Sequence, residues 1–275
     1  MSVSINELIA ERLDTMPAGE RRAAQTLIAN YPLIGLKTVA EFSQVAGVSS
    51  PTILRFVSRL GFQNYHEFQS RLQDELAAQL QSPASRTRTP RLRAEGALPP
   101  MLDATLENLR ETFRHISQRQ INEIVARMAD QRGQMLLMGG RFTDPLARYM
   151  AAHLTIVRRN VFHLSGQESM WRDRLIDMGK RDVLLIFDIR RYQESLLHFA
   201  EKAHERGVCI VLVTDQWLSP IARFARHVVA GRTAVPSAWD STASLFVIAE
   251  TLIGAVTVHL EAESGERIRE MERLR

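Results

Sequence analysis

A chain of 275 residues is longer than one typical domain, so two domains are expected, and with 45% hydrophobic residues it has ample material for a core and is not of disordered composition. The single cysteine, Cys209, excludes an internal disulfide framework and fits a reducing compartment; inside the apolar run VCIVLV it reads as a buried, inert thiol. A formal net charge of +4 with a pI of about 9.6 permits nucleic-acid binding without establishing it.

The opening stretch MSVSINELIAERLD has charges where a signal peptide needs an apolar core. INELIAERLD and AGERRAAQTLIANY carry apolar residues at helical spacing, with Pro17 just ahead of the second; TVAEFSQVA, PTILRFVSRLG and YHEFQSRLQDELAAQL keep the same period. Residues 1–80 are therefore expected to form an all-α domain. Residues 81–100, QSPASRTRTPRLRAEGALPP, hold four prolines, four arginines and almost no large apolar residue, which marks a linker. Its Arg86, Arg88, Arg91 and Arg93 are either a solvated tether or a basic arm against phosphates.

From residue 101 to 275 the pattern changes. Two helical stretches, MLDATLENLRETFRHI and QRQINEIVARMAD, precede the short apolar runs QMLLMGG, NVFHL, DVLLIFD, VCIVLVTD and HVVAG, which alternate with helical segments. Apolar runs of this length suit strands buried on both faces, so a three-layer α/β domain with a mainly parallel sheet is expected, with ligands at the carboxyl ends of the strands. The run ASLFVIAETLIGAVTVHL, residues 243–260, nears the length of a membrane span, roughly 20 residues. Glu250 in its middle favours a helix buried in a core or subunit interface. No membrane association is expected, and the cytoplasm is the expected location.

Within the first domain, TVAEFSQVAGVSSPTILRFVSRLG (residues 38–61) has the layout of a helix-turn-helix. Gly47 supplies the turn, Ser49 stands where the second helix needs its N-cap, and Pro51 falls in the first turn, where its missing N–H is harmless. Val39, Phe42, Val45, Val48, Ile53, Phe56, Val57 and Leu60 are the expected core. This leaves Ser49, Ser50, Thr52, Arg55 and Arg59 for an outward face, where the start of a recognition helix meets base edges in the major groove; Arg55 suits a guanine. Lys37 and Thr38, at the start of the first motif helix, suit phosphates. Residues 1–80 contain seven Lys and Arg against eight Asp and Glu, so affinity for DNA must rest on where the bases stand, on dimerisation or on the linker arginines.

The segment GVSSPTILRFVSRLGFQNYHEF resembles the helix-turn-helix of the RpiR-type bacterial transcriptional regulators, and VTDQWLSPIARFA (residues 213–225) resembles the segment after a late strand of the sugar isomerase (SIS) domain that follows it in that family. The resemblance implies a one-component regulator in which a helical head binds double-stranded operator DNA. Its SIS domain would dimerise, or assemble as a tetramer, and sense a small anionic metabolite, commonly a sugar phosphate. In the family two loops cradle the phosphate, a Gly-x-Gly-x-Ser turn after the first strand and a Ser-x-Ser-Gly-x-Thr turn after the third.

This sequence departs from both. The first loop reads GGRFT, so Gly139 keeps the first glycine, Gly140 follows it, Arg141 replaces the second glycine and Thr143 keeps a hydroxyl. The second reads DIRRYQ, with Asp188 and Arg190 in place of the serines, Arg191 in place of the glycine and Gln193 in place of the threonine. Because an arginine cannot follow a glycine into every backbone conformation, loss of the usual phosphate nest is expected. Arg141, Arg190 and Arg191 at two neighbouring strand ends either build an anion site from guanidinium forks or pair structurally with Asp188, Asp215 or Asp240. A third loop, PSAWDST, either closes the site with Ser237, Asp240 and Ser241 or caps the long apolar helix with Asp240 or Ser241.

No catalytic residue, metal site or cofactor is expected. Glu250 and His259 lack a partner legible in sequence, the histidines lack metal-ligand spacing, and no nucleophile elbow is present.

Overall fold

The computed structural model describes residues 3–80, 98–166 and 168–274, and the linker arginines Arg86, Arg88, Arg91 and Arg93 lie outside them. In the head, α1 (Ile5–Arg12) opens on a capping box: the Ser4 hydroxyl accepts the Glu7 N–H at 3.2 Å and the Glu7 carboxylate accepts the Ser4 N–H at 2.7 Å. Next comes α2 (Ala18–Ala29), with Pro17 at its N-cap, then α3 (Val39–Ala46), α4 (Ser50–Arg59) and α5 (Tyr65–Leu80).

Gly47, at φ +61°, ends α3 in the left-handed conformation and returns its N–H to the carbonyls of Ser43 and Gln44, which sets the turn into α4. Phe42, Ile53, Phe56, Val57 and Leu60 are buried as expected, with Val39 and Val48 packed at the edge of the same core. Val45 is not: it is 59% exposed. The buried stripe of α3 runs through Phe42, Ser43 and Ala46, and at about 100° per residue position 45 falls off it.

The expected linker ended at residue 100, yet α6 (Leu98–Arg114) already includes Leu98, Pro99 and Pro100. The first turn of a helix tolerates proline, because its N–H groups have no intrahelical partner. There follow α7 (Gln118–Met128), β1 (Met135–Gly139), α8 (Asp144–Val157), β2 (Val161–His163), α9 (Glu168–Ile176), β3 (Val183–Asp188), α10 (Glu194–Glu205), β4 (Cys209–Asp215), β5 (His227–Gly231), α11 (Ala243–His259) and α12 (Glu261–Arg273). All five expected strands form, and they pair in parallel in the order β2-β1-β3-β4-β5.

Alternation along each strand supplies both faces of the sheet. Met135, Leu137, Val183, Leu185 and Phe187 pack under α7, α8 and α11, while Leu136, Met138, Leu184 and Ile186 pack under α9 and α10. Cys209 is buried in β4, as its apolar run implied. The long apolar segment is α11, whose Leu245, Ile248, Leu252 and Val256 enter the core. Among the described residues no single helix is long and apolar enough to cross a membrane, and α11 and α12 are bent by 101°.

The head rests on the α/β domain. Ile28, near the end of α2, and Tyr31, just after it, pack against both the head core and the α9/α10 side of the sheet domain.

Candidate functional site

The strand order reverses at β1, whose neighbours are β2 on one side and β3 on the other. The chain therefore leaves the carboxyl ends of β1 and β3 in divergent directions, which opens a crevice where parallel α/β sheets hold ligands. The two arginine-bearing loops stand at that point, as expected from the sequence.

The loop after β1 closes on itself. Thr143 is 2% exposed; its hydroxyl donates to the Phe187 carbonyl at 2.6 Å and accepts the Gly140 N–H at 2.9 Å. It is thus engaged in holding β1 to β3. Gly139 is required by close approach: a Cβ there would lie 2.6 Å from the Thr143 carbonyl carbon and the Asp144 nitrogen. Arg141 is turned outward, its guanidinium 5.4 Å from the centre of the Phe142 ring.

The loop after β3 is built on two buried carboxylates. Asp215, at the end of β4, accepts the Arg190 N–H at 2.5 Å, the Trp217 N–H at 3.0 Å and the Tyr192 hydroxyl at 2.8 Å. Asp188 accepts the Ser219 hydroxyl at 2.5 Å and the backbone N–H of Gln193. Burial pushes Asp188 up to about 7 and Asp215 up to about 6, because water is not there to solvate their charge; the hydrogen bonds only partly offset this. Both carboxylates shape the loop.

Arg190 follows the structural alternative. Its side chain is 3% exposed, and Nε and Nη2 hold both Asp240 oxygens at 2.5–3.1 Å. Nη1 donates to the Ala78 carbonyl of the head at 2.9 Å, and the guanidinium lies 4.9 Å from the Trp217 ring centre. Asp240 is thus held by Arg190. The N-cap position is Thr242, which makes no side-chain cap, and the Ser241 hydroxyl one residue earlier accepts the Ala243 N–H at 3.3 Å.

Arg191 stands where the family pattern has a glycine, and its backbone takes a conformation glycine favours. It sits at φ +70°, the region a glycine favours, and its side chain is exposed. The surrounding hydrogen bonds of Arg190, Tyr192 and Gln193 hold the backbone there in spite of the Cβ, whose steric cost is roughly 1–2 kcal/mol. Its guanidinium lies 5.8 Å from the Trp239 ring, and Trp239 meets Phe142 at 5.7 Å. The two exposed arginines thus flank a pair of exposed aromatic rings. Gln193 lies beside Gly140, where a Cβ would come 3.6 Å from its Oε1, and its amide donates to Ser195 at 2.7 Å. The structure therefore brings Gly140, Asp188, Gln193 and the Arg190–Asp240 pair together, and leaves Arg141 and Arg191 as its outward charges.

In the head, the α4 N-terminus is presented on the buried core just described. Ser49 has the extended N-cap backbone, but its hydroxyl pairs with that of Thr52 at 2.9 Å instead of a backbone N–H. Ser50 is half-buried against the Ser43 hydroxyl at 3.2 Å. Arg55 is exposed and donates to the Thr52 hydroxyl at 3.0 Å. Arg59 is different: it is exposed, but its guanidinium is also ion-paired with the buried Glu20. Lys37 and Thr38 are exposed at the start of α3, with the Thr38 hydroxyl closing a capping box with Glu41.

Sequence reasoning missed the domain contact. Arg232 donates to both oxygens of Glu7 at 2.5 and 2.8 Å and stands 3.7 Å from Glu111, all three buried. Buried His115 lies between Glu11 and Glu111 at 3.4 and 3.9 Å. These charges lie up to 225 residues apart in sequence, and no local spacing announces them. Glu250 is exposed and accepts the Tyr149 hydroxyl at 3.3 Å, while His259 is exposed at the end of α11.

The fold and its two sites define a class: a helix-turn-helix head joined to an SIS-type parallel α/β domain. The rpiR-family helix-turn-helix domain matches residues 3–79 and the SIS domain matches residues 127–255, and the chain belongs to the RpiR-type regulators. It is 22% identical over 263 residues to an uncharacterized HTH-type transcriptional regulator of Haemophilus influenzae, covering 93% of this chain and 90% of that protein. Over 72 residues, 26% of this chain and 25% of the other, it is 33% identical to the HTH-type transcriptional regulator HexR of Pseudomonas aeruginosa. The Vibrio vulnificus NanR protein complexed with ManNAc-6P is similar in fold, with a TM-score of 0.56 and 15% identity over 97% of each chain. So is the sugar isomerase domain of an RpiR transcription factor from Sphaerobacter thermophilus, with a TM-score of 0.59 and 22% identity over 63% of this chain and 96% of that one.

Proposed function

We propose that this regulator binds operator DNA through the start of α4 and, as a non-enzymatic homodimer, answers to a small anion at the β1/β3 crevice. The observation that carries the DNA reading is the exposed Arg55 one turn into α4, with Ser49 and Thr52 beside it on a fully buried helical core. Such a turn suits base edges in the major groove, and Lys37 and Thr38 suit flanking phosphates. Arg59 contributes to the helix packing through Glu20.

Arg141 and Arg191 are the groups that suit the anion, a carboxylate or a phosphate, and Phe142 and Trp239 offer ring faces beside them. A sugar phosphate, the kind of molecule bound to NanR, is one such anion. Two copies would pair two heads on half-sites a helical turn or a multiple apart, and linkage then makes DNA and effector affinities change reciprocally.

The test is retention of the full chain on a DNA fragment from its own upstream region across a salt series. Retention that weakens steeply as salt rises supports the reading, and no retention at low salt sinks it. Trp239 fluorescence during titration with sugar phosphates and dicarboxylates tests the effector site: a saturable change lost in Arg191→Ala supports it, and a flat signal with every probe removes it.

A further inference from the structure

The loop that in the family cradles phosphate here reaches out of its own domain. The carbonyl of Ala78, in the last described turn of α5, accepts a hydrogen bond from the Arg190 guanidinium. One residue on, the Gln79 side chain hydrogen-bonds the Tyr192 hydroxyl, which Asp215 also holds. Arg190 in turn is fixed by Asp240 from the third loop, with Trp217 across its face. A guanidinium is planar and donates in fixed directions, so once two nitrogens lie on Asp240 the remaining one has a single bearing, and that bearing is the end of α5.

We propose that Arg190 is a positioning residue that latches the last turn of the head to the effector crevice. It does so as a strut between the third loop and the head, and is not itself a ligand for the effector. The latch rests on the regulator reading only for its consequence, which is to set the angle at which each head leaves the sheet domain. Because Arg190 is sealed by Asp240, Ala78 and Trp217, an anion entering beside Arg141 and Arg191 reaches it only by displacing one of these partners. Trp239, beside Arg191, and Asp240, on Arg190, are consecutive in the third loop, so an anion that shifts this loop at Trp239 alters the docking of α5 through Arg190 without touching it, and without a change of fold in either domain.

Hydrogen–deuterium exchange on the full-length protein tests this without any DNA. In Arg190→Lys an ammonium still faces Asp240 but cannot span both carboxylate oxygens and the Ala78 carbonyl. Amides of residues 76–80 should exchange roughly tenfold faster, as loss of one charge-assisted hydrogen bond implies, while β3, β4 and the α3–α4 core keep their protection. Arg190→Met takes the cation from buried Asp240 altogether and lowers global stability as well, so the lysine variant carries the local test. Wild-type rates at 76–80, or an acceleration spread evenly over both domains, overturn the latch.

A second readout separates positioning from stability. From a random duplex pool the wild type should select paired half-sites at one spacing, and Arg190→Lys the same half-site sequence at a wider range of spacings. Identical spacing profiles overturn the latch. If neither protein retains DNA, the operator reading falls, and the exchange data still judge the latch by themselves.

Discussion

Arg190 and Arg191 are neighbours in the chain and meet opposite surroundings, and Arg55 and Arg59 repeat the contrast one helical turn apart in the head. Arg190 and Arg59 are each paired with a carboxylate from another element, Asp240 and Glu20; Arg191 and Arg55 stand in solvent. In both domains one guanidinium fixes the geometry and its neighbour is left to meet a partner. The difference teaches that charge at a functional position is not by itself a contact: an arginine whose nitrogens already have acceptors must lose them before it binds anything else.

The largest expected effect that would break this comparison is at Arg190. Replacing it with methionine removes one partner of a buried pair, so urea unfolding should show about 3–5 kcal/mol of destabilisation; a loss as small as that of a surface pair would return Arg190 to the exposed class.

In the head, Arg55→Ala should weaken DNA binding by about 1–3 kcal/mol and relax base preference at one position, as expected for a guanine contact. Arg59→Ala should leave that base preference unchanged. Competition binding with single-base operator variants checks both, and equal shifts in specificity would erase the contrast.

The carboxylates beneath the second loop sharpen it through pH. Asp188 is pushed up to about 7 in the folded chain, whereas an unfolded aspartate titrates near about 3.9. The folded state therefore holds the proton more tightly, and the stability this contributes is present below about pH 4 and lost as pH rises through about 7. Asp188→Asn should flatten that fall in urea midpoints between about pH 4.5 and 7.5. A slope identical to wild type would show that Asp188 does not titrate there.

The smallest effect is at Arg191. Glycine accepts φ +70° without steric cost, so Arg191→Gly should leave stability unchanged or raise it by up to about 1 kcal/mol, while reducing anion affinity. Thermal unfolding with and without inorganic phosphate reads both. A clear destabilisation would mean that the Arg191 side chain, like that of Arg190, is structural.

Much of the fold was legible because its signals are local. Continuous apolar runs marked all five strands, and Gly47 and Pro51 marked the turn and first turn of the helix-turn-helix. The placement of the arginine loops at adjacent strand ends followed from the same pattern. One misreading was local, and one partner came from a distant element. Val45 fits a generic apolar list but falls off the stripe that α3 buries. Arg59 stays outward as read, but Glu20 arrives from α2 to pair with it.

The amino-acid sequence by itself determined the two-domain plan, the parallel sheet and the departure of both loops from the family pattern, because hydrophobic period, turn residues and motif spacing act over a few residues. Only the tertiary structure decided which arginines are available. Ala78, Arg190 and Asp240 span more than 160 positions of the chain, and whether a guanidinium faces water or an acceptor depends on how the head and the third loop pack over it. Burial and pairing are properties of the assembled fold, and the same two letters, Arg-Arg, are compatible with either outcome until those surfaces meet.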